Sequence, residues 1–329
     1  MKARLAIVRS AALAAALALA AGCGKATAPT PPFSNSSVHL MVFASDRNQA
    51  AGQLALYLYD LDAGGFLAIP NLNRAAPELH PTITSDGLAI AFQSDRGLGT
   101  GSDIYVYSRA SQDTVSLHGL NSPLDETDPE FTADATKLAF TQKLATGWTR
   151  IRLYDAAGDT LVRLAGLDTT TTAAYNDFSP YPNHDGSRIA FVSDRSGSPH
   201  IYVWDAATRS LLNLPGLNSS ASDVDPCITP DARWLCFASN RSGGIGGYDL
   251  YLFDTLNLVY IALPAGIQTT FDERHPALSQ SGNSIVYQSQ RPGLGGWDLW
   301  YASISPASVS LMSAASSAKD DIEPAILLP

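Results

Sequence analysis

Six acids in this sequence each stand three residues before a proline: Glu78, Glu126, Asp177, Asp223, Glu273 and Asp321 precede Pro81, Pro129, Pro180, Pro226, Pro276 and Pro324. Directly before the same prolines come His80, Asp128, Ser179, Asp225, His275 and Glu323. A base follows each unit at a fixed place, at Arg47, Arg96, Arg195, Arg241 and Arg291, with Lys143 one place out of register. Three kinds of chemistry suit such a set. Carboxylates beside histidines can transfer protons. Converging carboxylates can hold a hard cation, which wants several oxygen ligands. Acids facing arginines can also pair with them and do nothing more, as charge-assisted hydrogen bonds within a scaffold.

Which of these applies depends on the elements that carry the residues. The prolines are separated by 48, 51, 46, 50 and 48 residues, and a period of that size marks a solenoid or propeller. Each copy has four strand signals, separated by turn residues. In the copy around Pro81 they are Pro81 to Thr84, Leu88 to Gln93, Asp103 to Tyr107 and Thr114 to Leu117. The second strand carries an aromatic at one place throughout: Phe43, Phe92, Phe140, Phe191, Phe237 and Tyr287. A small four-stranded sheet with apolar residues on both faces must stack against neighbours around an axis.

The expected fold is therefore all-β, a six-bladed β-propeller of four-stranded blades over residues 38–329. The first copy enters at its second strand near His39, and Asp320 to Leu328 matches the start of a copy. The C-terminal strand should then join the first blade and close the ring, removing an exposed edge. Pro32 also lies one period before Pro81 and would allow a degenerate extra strand. In this geometry the loop entering the inner strand and the loop leaving the second lie on one face. The acids and bases then meet there as a ring of inter-blade ion pairs around the channel mouth. Asp128, Asp225 and Glu323 are left as surplus acids that could gather Ca²⁺ or a cationic peptide segment.

The motifs His80-Pro-x-x-Thr-x-Asp-Gly87, Ile90-Ala-Phe-x-Ser-Asp-Arg96 and Asp103-Ile-Tyr-Val106 resemble the WD40-like repeats of the TolB propeller family. TolB is the periplasmic component of the Tol-Pal system, so the resemblance, over residues 38 to 328, implies a propeller that works in the bacterial envelope. Where TolB carries a separate α/β domain before its propeller, a short tether precedes this one.

Residues 1–22 read as a secretory signal, with Lys2, Arg4 and Arg9 ahead of the apolar run Ala11 to Ala20. Leu19-Ala-Ala-Gly-Cys23 resembles the lipobox of bacterial lipoproteins, which implies diacylation of Cys23 and cleavage before it. Gly24 in place of aspartate resembles the outer-membrane sorting signal. Residues 23–37 are small, polar and proline-rich and should form an extended tether. The expectation is a monomeric propeller on the periplasmic side of the envelope, touching the membrane through its lipid alone.

Composition excludes other classes. The formal charge of the chain is -10, and removing the leader lowers Lys+Arg from 21 to 18 against 31 acids, giving -13. Such a surface repels phosphate backbones, so nucleic acid is not a partner. The six histidines form no His-Glu-x-x-His pair, and no zinc spacing of cysteines exists. A Gly-x-Ser-x-Gly elbow and a phosphate-cradling Gly-Lys-Ser/Thr loop are also missing. Gly97 to Gly101 and Gly243 to Gly247 lie between strands and read as turn glycines.

Cys227 and Cys236 flank the turn Pro230 to Arg233. Pairing Thr229 with Trp234 would set the two cysteines opposite each other, where a disulfide or two buried free thiols could form. The sequence thus points to a non-enzymatic envelope binding scaffold that presents its loop face and channel mouth to a protein, peptide or polymer. No catalytic residue or cofactor is assigned. The alternative is a channel-mouth hydrolase or lyase using carboxylates as acid and base or a bound divalent metal, with Glu126, Asp128, Asp223, Asp225, His275 and Glu323 as candidates.

Overall fold

A computed structural model describes residues 39–50, 52–97, 101–167 and 174–329. The leader, Cys23, Pro32 and the tether lie outside the described residues. The described chain forms six antiparallel sheets of four strands each. The second blade shows the pattern, with strands Glu78–Ile83, Ala89–Ser94, Asp103–Ser108 and Asp113–Val115 running from the axis outwards. The C-terminal strand Asp321–Leu327 is innermost in the first blade, pairing Leu40 with Leu327 and Ser45 with Asp321. Ring closure follows as expected.

Both faces of each sheet are covered because neighbouring blades supply the core. Phe43, Phe92, Phe140, Phe191, Phe237 and Tyr287 are all fully buried, each at the same place in its blade. In the second to fifth blades the turn between the first two strands is closed by an aspartate, as where Asp86 Oδ1 accepts the Leu88 N–H at 2.9 Å. This is the local bond that makes aspartate a turn residue. Asp60 does likewise in its hairpin, accepting from Asp62 and Ala63, so Asp60 to Gly65 is an ordinary turn.

The inner strands differ from expectation in one respect. They begin at the acid, three residues before the proline, so the proline lies within the strand. Proline has no N–H for the ladder and is tolerated in a sheet only at an edge or a bulge. A bulge is found: pairing shifts between Leu79 and Thr82, Thr127 and Glu130, Phe178 and Tyr181, Val224 and Cys227, and Arg274 and Ala277. The residue before the proline takes a left-handed backbone in every blade, with φ of 47° at His80, 52° at Asp128, 49° at Ser179, 52° at Asp225, 46° at His275 and 55° at Glu323. Such a conformation costs a non-glycine residue of order 1 kcal/mol or more and persists only where the surroundings impose it. The bulge turns these residues towards the axis.

A buried acid ring and an exposed channel ring

The two residue rings picked out in the sequence part company in the structure. Glu78, Glu126, Asp177, Asp223, Glu273 and Asp321 are fully buried within their blades. They are not channel-mouth residues. Nor do the bases bridge blades. Arg96 Nη2 reaches Glu78 at 2.7 Å, Arg195 reaches Asp177 at 2.6 Å and Arg241 reaches Asp223 at 2.7 Å, each inside one sheet. Arg47 pairs with Asp321 within the first blade. The reason is the path of the arginine, which leaves the second strand, folds back over the aromatics and meets the start of the inner strand. Arg96 lies 4.6 Å from the Phe92 ring centroid and 4.8 Å from that of Tyr105, and Arg241 lies 4.5 Å from Tyr251. Cation–π contact and ion pair fix the same guanidinium.

Two blades depart from this scheme. In the third, Lys143 turns away to Asp125 at 2.7 Å, and Glu126 is held instead by Gln142 at 3.0 Å and by Ser122. In the sixth, the aromatic is Tyr287, whose hydroxyl takes the Arg291 guanidinium, and Glu273 turns to the hydroxyls of Thr269 and Ser289. Burial raises the Glu273 carboxyl, and these hydroxyls offset it only in part. Glu78 is also raised by burial, despite Arg96.

The residues before the prolines do reach the axis. They line a cavity of about 100 Å³ together with the prolines, Glu130 and Tyr181. Round the ring, acids alternate with other residues: Glu323, His80, Asp128, Ser179, Asp225, His275. Each acid caps the exposed N–H of the next blade's bulge. Glu323 Oε2 accepts from His80 N at 2.7 Å, Asp128 Oδ2 from Ser179 N at 3.3 Å and Asp225 Oδ2 from His275 N at 3.2 Å. Where the ring residue is histidine, a glutamine of the second strand does the work. Gln93 accepts from Asp128 N at 3.0 Å and Gln288 from Glu323 N at 2.7 Å.

The three ring acids are consequently less free than the sequence suggests. Asp225 also holds Arg274, with Nε at 2.5 Å, and Asp128 accepts from Thr141 at 2.9 Å. Among the described residues no group of three or more His, Cys, Asp or Glu is arranged to hold a metal ion. Burial alone would raise the Asp225 carboxyl, but His275 and Arg274 outweigh it and bring it to about 2. His80 Nε2 stands 3.4 Å from Glu323 and 3.6 Å from Asp128. Burial opposes its protonation, yet Glu323, Asp128 and Asp225 together raise it above the ordinary histidine value. Three acids, Asp128, Asp225 and Glu323, thus share the mouth with Arg274, His275 and His80, whose protonation those acids favour.

Below the ring lies a residue that the sequence reading missed. Glu130 follows Pro129 and faces the channel. Burial pushes its carboxyl up to about 8, with only the Thr82 hydroxyl, at 2.8 Å, favouring ionisation. It is therefore largely neutral at pH 7. Burial likewise drives the neighbouring Tyr181 well above its usual value. The signal was present, since the residue after the proline is elsewhere Thr82, Tyr181, Cys227, Ala277 or Ala325, and only Glu130 is an acid.

Cys227 and Cys236 do stand directly opposite each other, and Thr229 N donates to Trp234 O at 2.9 Å, as the register requires. They are nonetheless free, buried thiols rather than a disulfide. Burial, then Cys236 itself, pushes the Cys227 thiol up, so little thiolate forms.

A six-bladed ring with a narrow, acid-lined mouth is a β-propeller, and solved structures share this fold. TolB from Acinetobacter baumannii superposes with a TM-score of 0.69 at 22% identity, covering 89% of this chain and 67% of that one. A putative TolB from Agrobacterium tumefaciens gives 0.59 at 15% identity, over 84% and 88% of the two chains. An oligogalacturonate lyase in complex with manganese gives 0.56 at 13% identity, over 82% and 73%. No family model matches the sequence and no curated protein is similar to it. The TolB-like propeller fold anticipated from the repeat motifs is thus the fold this chain has.

Proposed function

We propose that the protein is a non-enzymatic binding scaffold of the bacterial envelope, lipid-anchored through Cys23 and probing a cationic protein segment with its channel mouth. The observation that carries this reading is the alternation of Asp128, Asp225 and Glu323 with the other residues round the channel mouth. Size supports it too. A cavity of about 100 Å³ is below the roughly 300–1,000 Å³ of small-molecule sites, and suits one protruding side chain. A second recess of about 280 Å³ shares His275 and Glu323 with the mouth and adds Trp297, Asp46 and Asp320. An extended segment can occupy both.

The same face also carries apolar contacts. Ile245 is 59% exposed, Leu294 48% and Phe271 39%, on loops at the mouth end of the fifth and sixth blades. Exposed apolar groups around a charged recess suit a protein partner better than a polysaccharide. TolB-like neighbours support an envelope role, and the outer membrane is the side the leader favours.

The test is retention of envelope proteins by the intact protein and by Asp128→Ala/Asp225→Ala/Glu323→Ala. The reading expects bands lost with the triple variant. Identical retention by both would show that the mouth is not the binding surface. A second reading rests on Glu130, because a carboxyl kept neutral in a cleft is a candidate general acid. It would require a turnover whose pH profile changes in Glu130→Gln.

A further inference from the structure

At the end of the strands opposite the mouth, two blade junctions are filled by a large apolar side chain, and a third is not. At the two filled junctions the first residue of the second strand, Leu40 or Trp234, packs on the turn glycine of the next blade. Between the first and second blades Leu40 does so closely enough that a Cβ on Gly87 would lie 2.9 Å from its Cδ1. There the groove is also covered by Arg109, which donates to Gly87 O at 2.6 Å. Between the fifth and sixth blades Trp234 fills the place so fully that a Cβ on Gly282 would come within 2.5 Å of its ring. The second and third blades leave an apolar cleft of only about 10 Å³.

Between the third and fourth blades the plug is Lys137, whose Nζ donates to Asp185 O at 3.0 Å, and the residue in the place of Arg109 is Ala206. Nothing presses on Gly186 closer than a Leu153 methyl at 3.2 Å. The result is a groove of about 450 Å³, within the range of small-molecule sites. Its floor and walls are Leu153, Leu164 and Trp204, and its rim carries Lys137, Arg163 and Arg209. Trp204 is buried and fixed, since its Nε1 donates to Ala165 O at 3.1 Å.

The charge at this rim is opposite to that of the molecule. Asp185 is the acid that lines the groove. Burial would raise its carboxyl, but Ser187 and Lys137 lower it, so it stays ionised and offsets one cation. Arg163 and Arg209 are exposed and make no ion pair among the described residues. Two uncompensated guanidiniums over an apolar, tryptophan-walled floor, on a chain of net charge -10, define a ligand by complementarity. It has an apolar body and one anionic end. Guanidinium favours a carboxylate through paired N–H donors.

We propose that the groove between the third and fourth blades is a binding site for a small amphipathic carboxylate, with its tail on Trp204 and its head between Arg163 and Arg209. The site is independent of the channel mouth and of what binds there.

Titration calorimetry of the whole protein with sodium octanoate and with 1-octanol, the uncharged counterpart, tests this. One octanoate should bind per chain with Kd at or below about 1 mM, and octanol at least tenfold more weakly. Arg163→Ala/Arg209→Ala alters exposed side chains and should keep its Tm while losing at least tenfold in octanoate affinity. Lys137→Leu, which restores the plug residue of the first blade, should also weaken binding. No saturable octanoate binding up to about 10 mM, equal affinity for octanol, or unchanged affinity in the double variant would each overturn the proposal.

Discussion

Two rings of polar residues lie only two positions apart in every copy, and they behave oppositely. The outer ring, from Glu78 to Asp321, is acidic in all six blades and wholly buried. Its members are held by arginine or, in the third and sixth blades, by hydroxyls and an amide. The inner ring varies, with acids alternating with His80, Ser179 and His275, and it faces the channel. Uniformity accompanies the structural role, since each blade must solve the same problem at the start of its inner strand. Variation is confined to the surface that meets solvent. The groove between the third and fourth blades is a further local difference, lying where Lys137 and Ala206 stand in the places that Leu40 and Arg109 fill between the first and second blades.

The largest expected effect is in the outer ring. Arg241→Ala leaves Asp223 buried without its partner, and should cost about 3–5 kcal/mol, the usual loss on breaking a buried ion pair. A thermal or denaturant unfolding curve measures it, and a loss under about 1 kcal/mol would place the ring among ordinary surface pairs. In the inner ring Asp225→Ala frees Arg274 and the His275 N–H, both close to solvent. The expected loss is smaller, about 1–3 kcal/mol for the charge-assisted bonds.

Glu130 gives a pH signature. Its folded-state pKa of about 8 exceeds the ordinary 4.5, so the folded protein holds this proton more tightly than the unfolded chain. Stability from this group is intact below about pH 4.5 and falls as pH rises towards 8. Histidine 80, also raised, contributes stability that is complete below its ordinary value of 6.5 and is lost as pH rises through its folded value. Glu130→Gln should therefore gain Tm relative to the parent between pH 5 and pH 9. A constant difference across that range would refute the buried, neutral carboxyl. The smallest effect is chemical: Cys227 and Cys236 should each take one label in denatured, unreduced protein, whereas an unlabelled pair would mean a disulfide.

Much of the fold was legible because proline, the turn Asp-Gly and the strand aromatic recur together at one period. Blade number, ring closure and the register of Cys227 against Cys236 followed from that. What pattern could not supply was depth. The acids of the outer ring and the residues before the prolines are both polar and adjacent, and only the bulge at Pro81 and its counterparts sends one inwards to the channel and leaves the other in the sheet. Pairing within the blade was hidden for a related reason, since the arginine's path depends on stacking over Phe92 and Tyr105. Glu130 was missed because it follows the proline, where no other copy has a charge.

The central claim is that the inner ring binds and the outer ring holds the fold. It is tested most directly by one titration, in which a lysine-rich peptide is added to the parent and to Asp128→Asn/Asp225→Asn/Glu323→Gln. These replacements keep an acceptor for each bulge N–H while removing the charge. The account predicts a Tm within a few degrees of the parent and at least a tenfold loss of affinity, whereas unchanged affinity would contradict it.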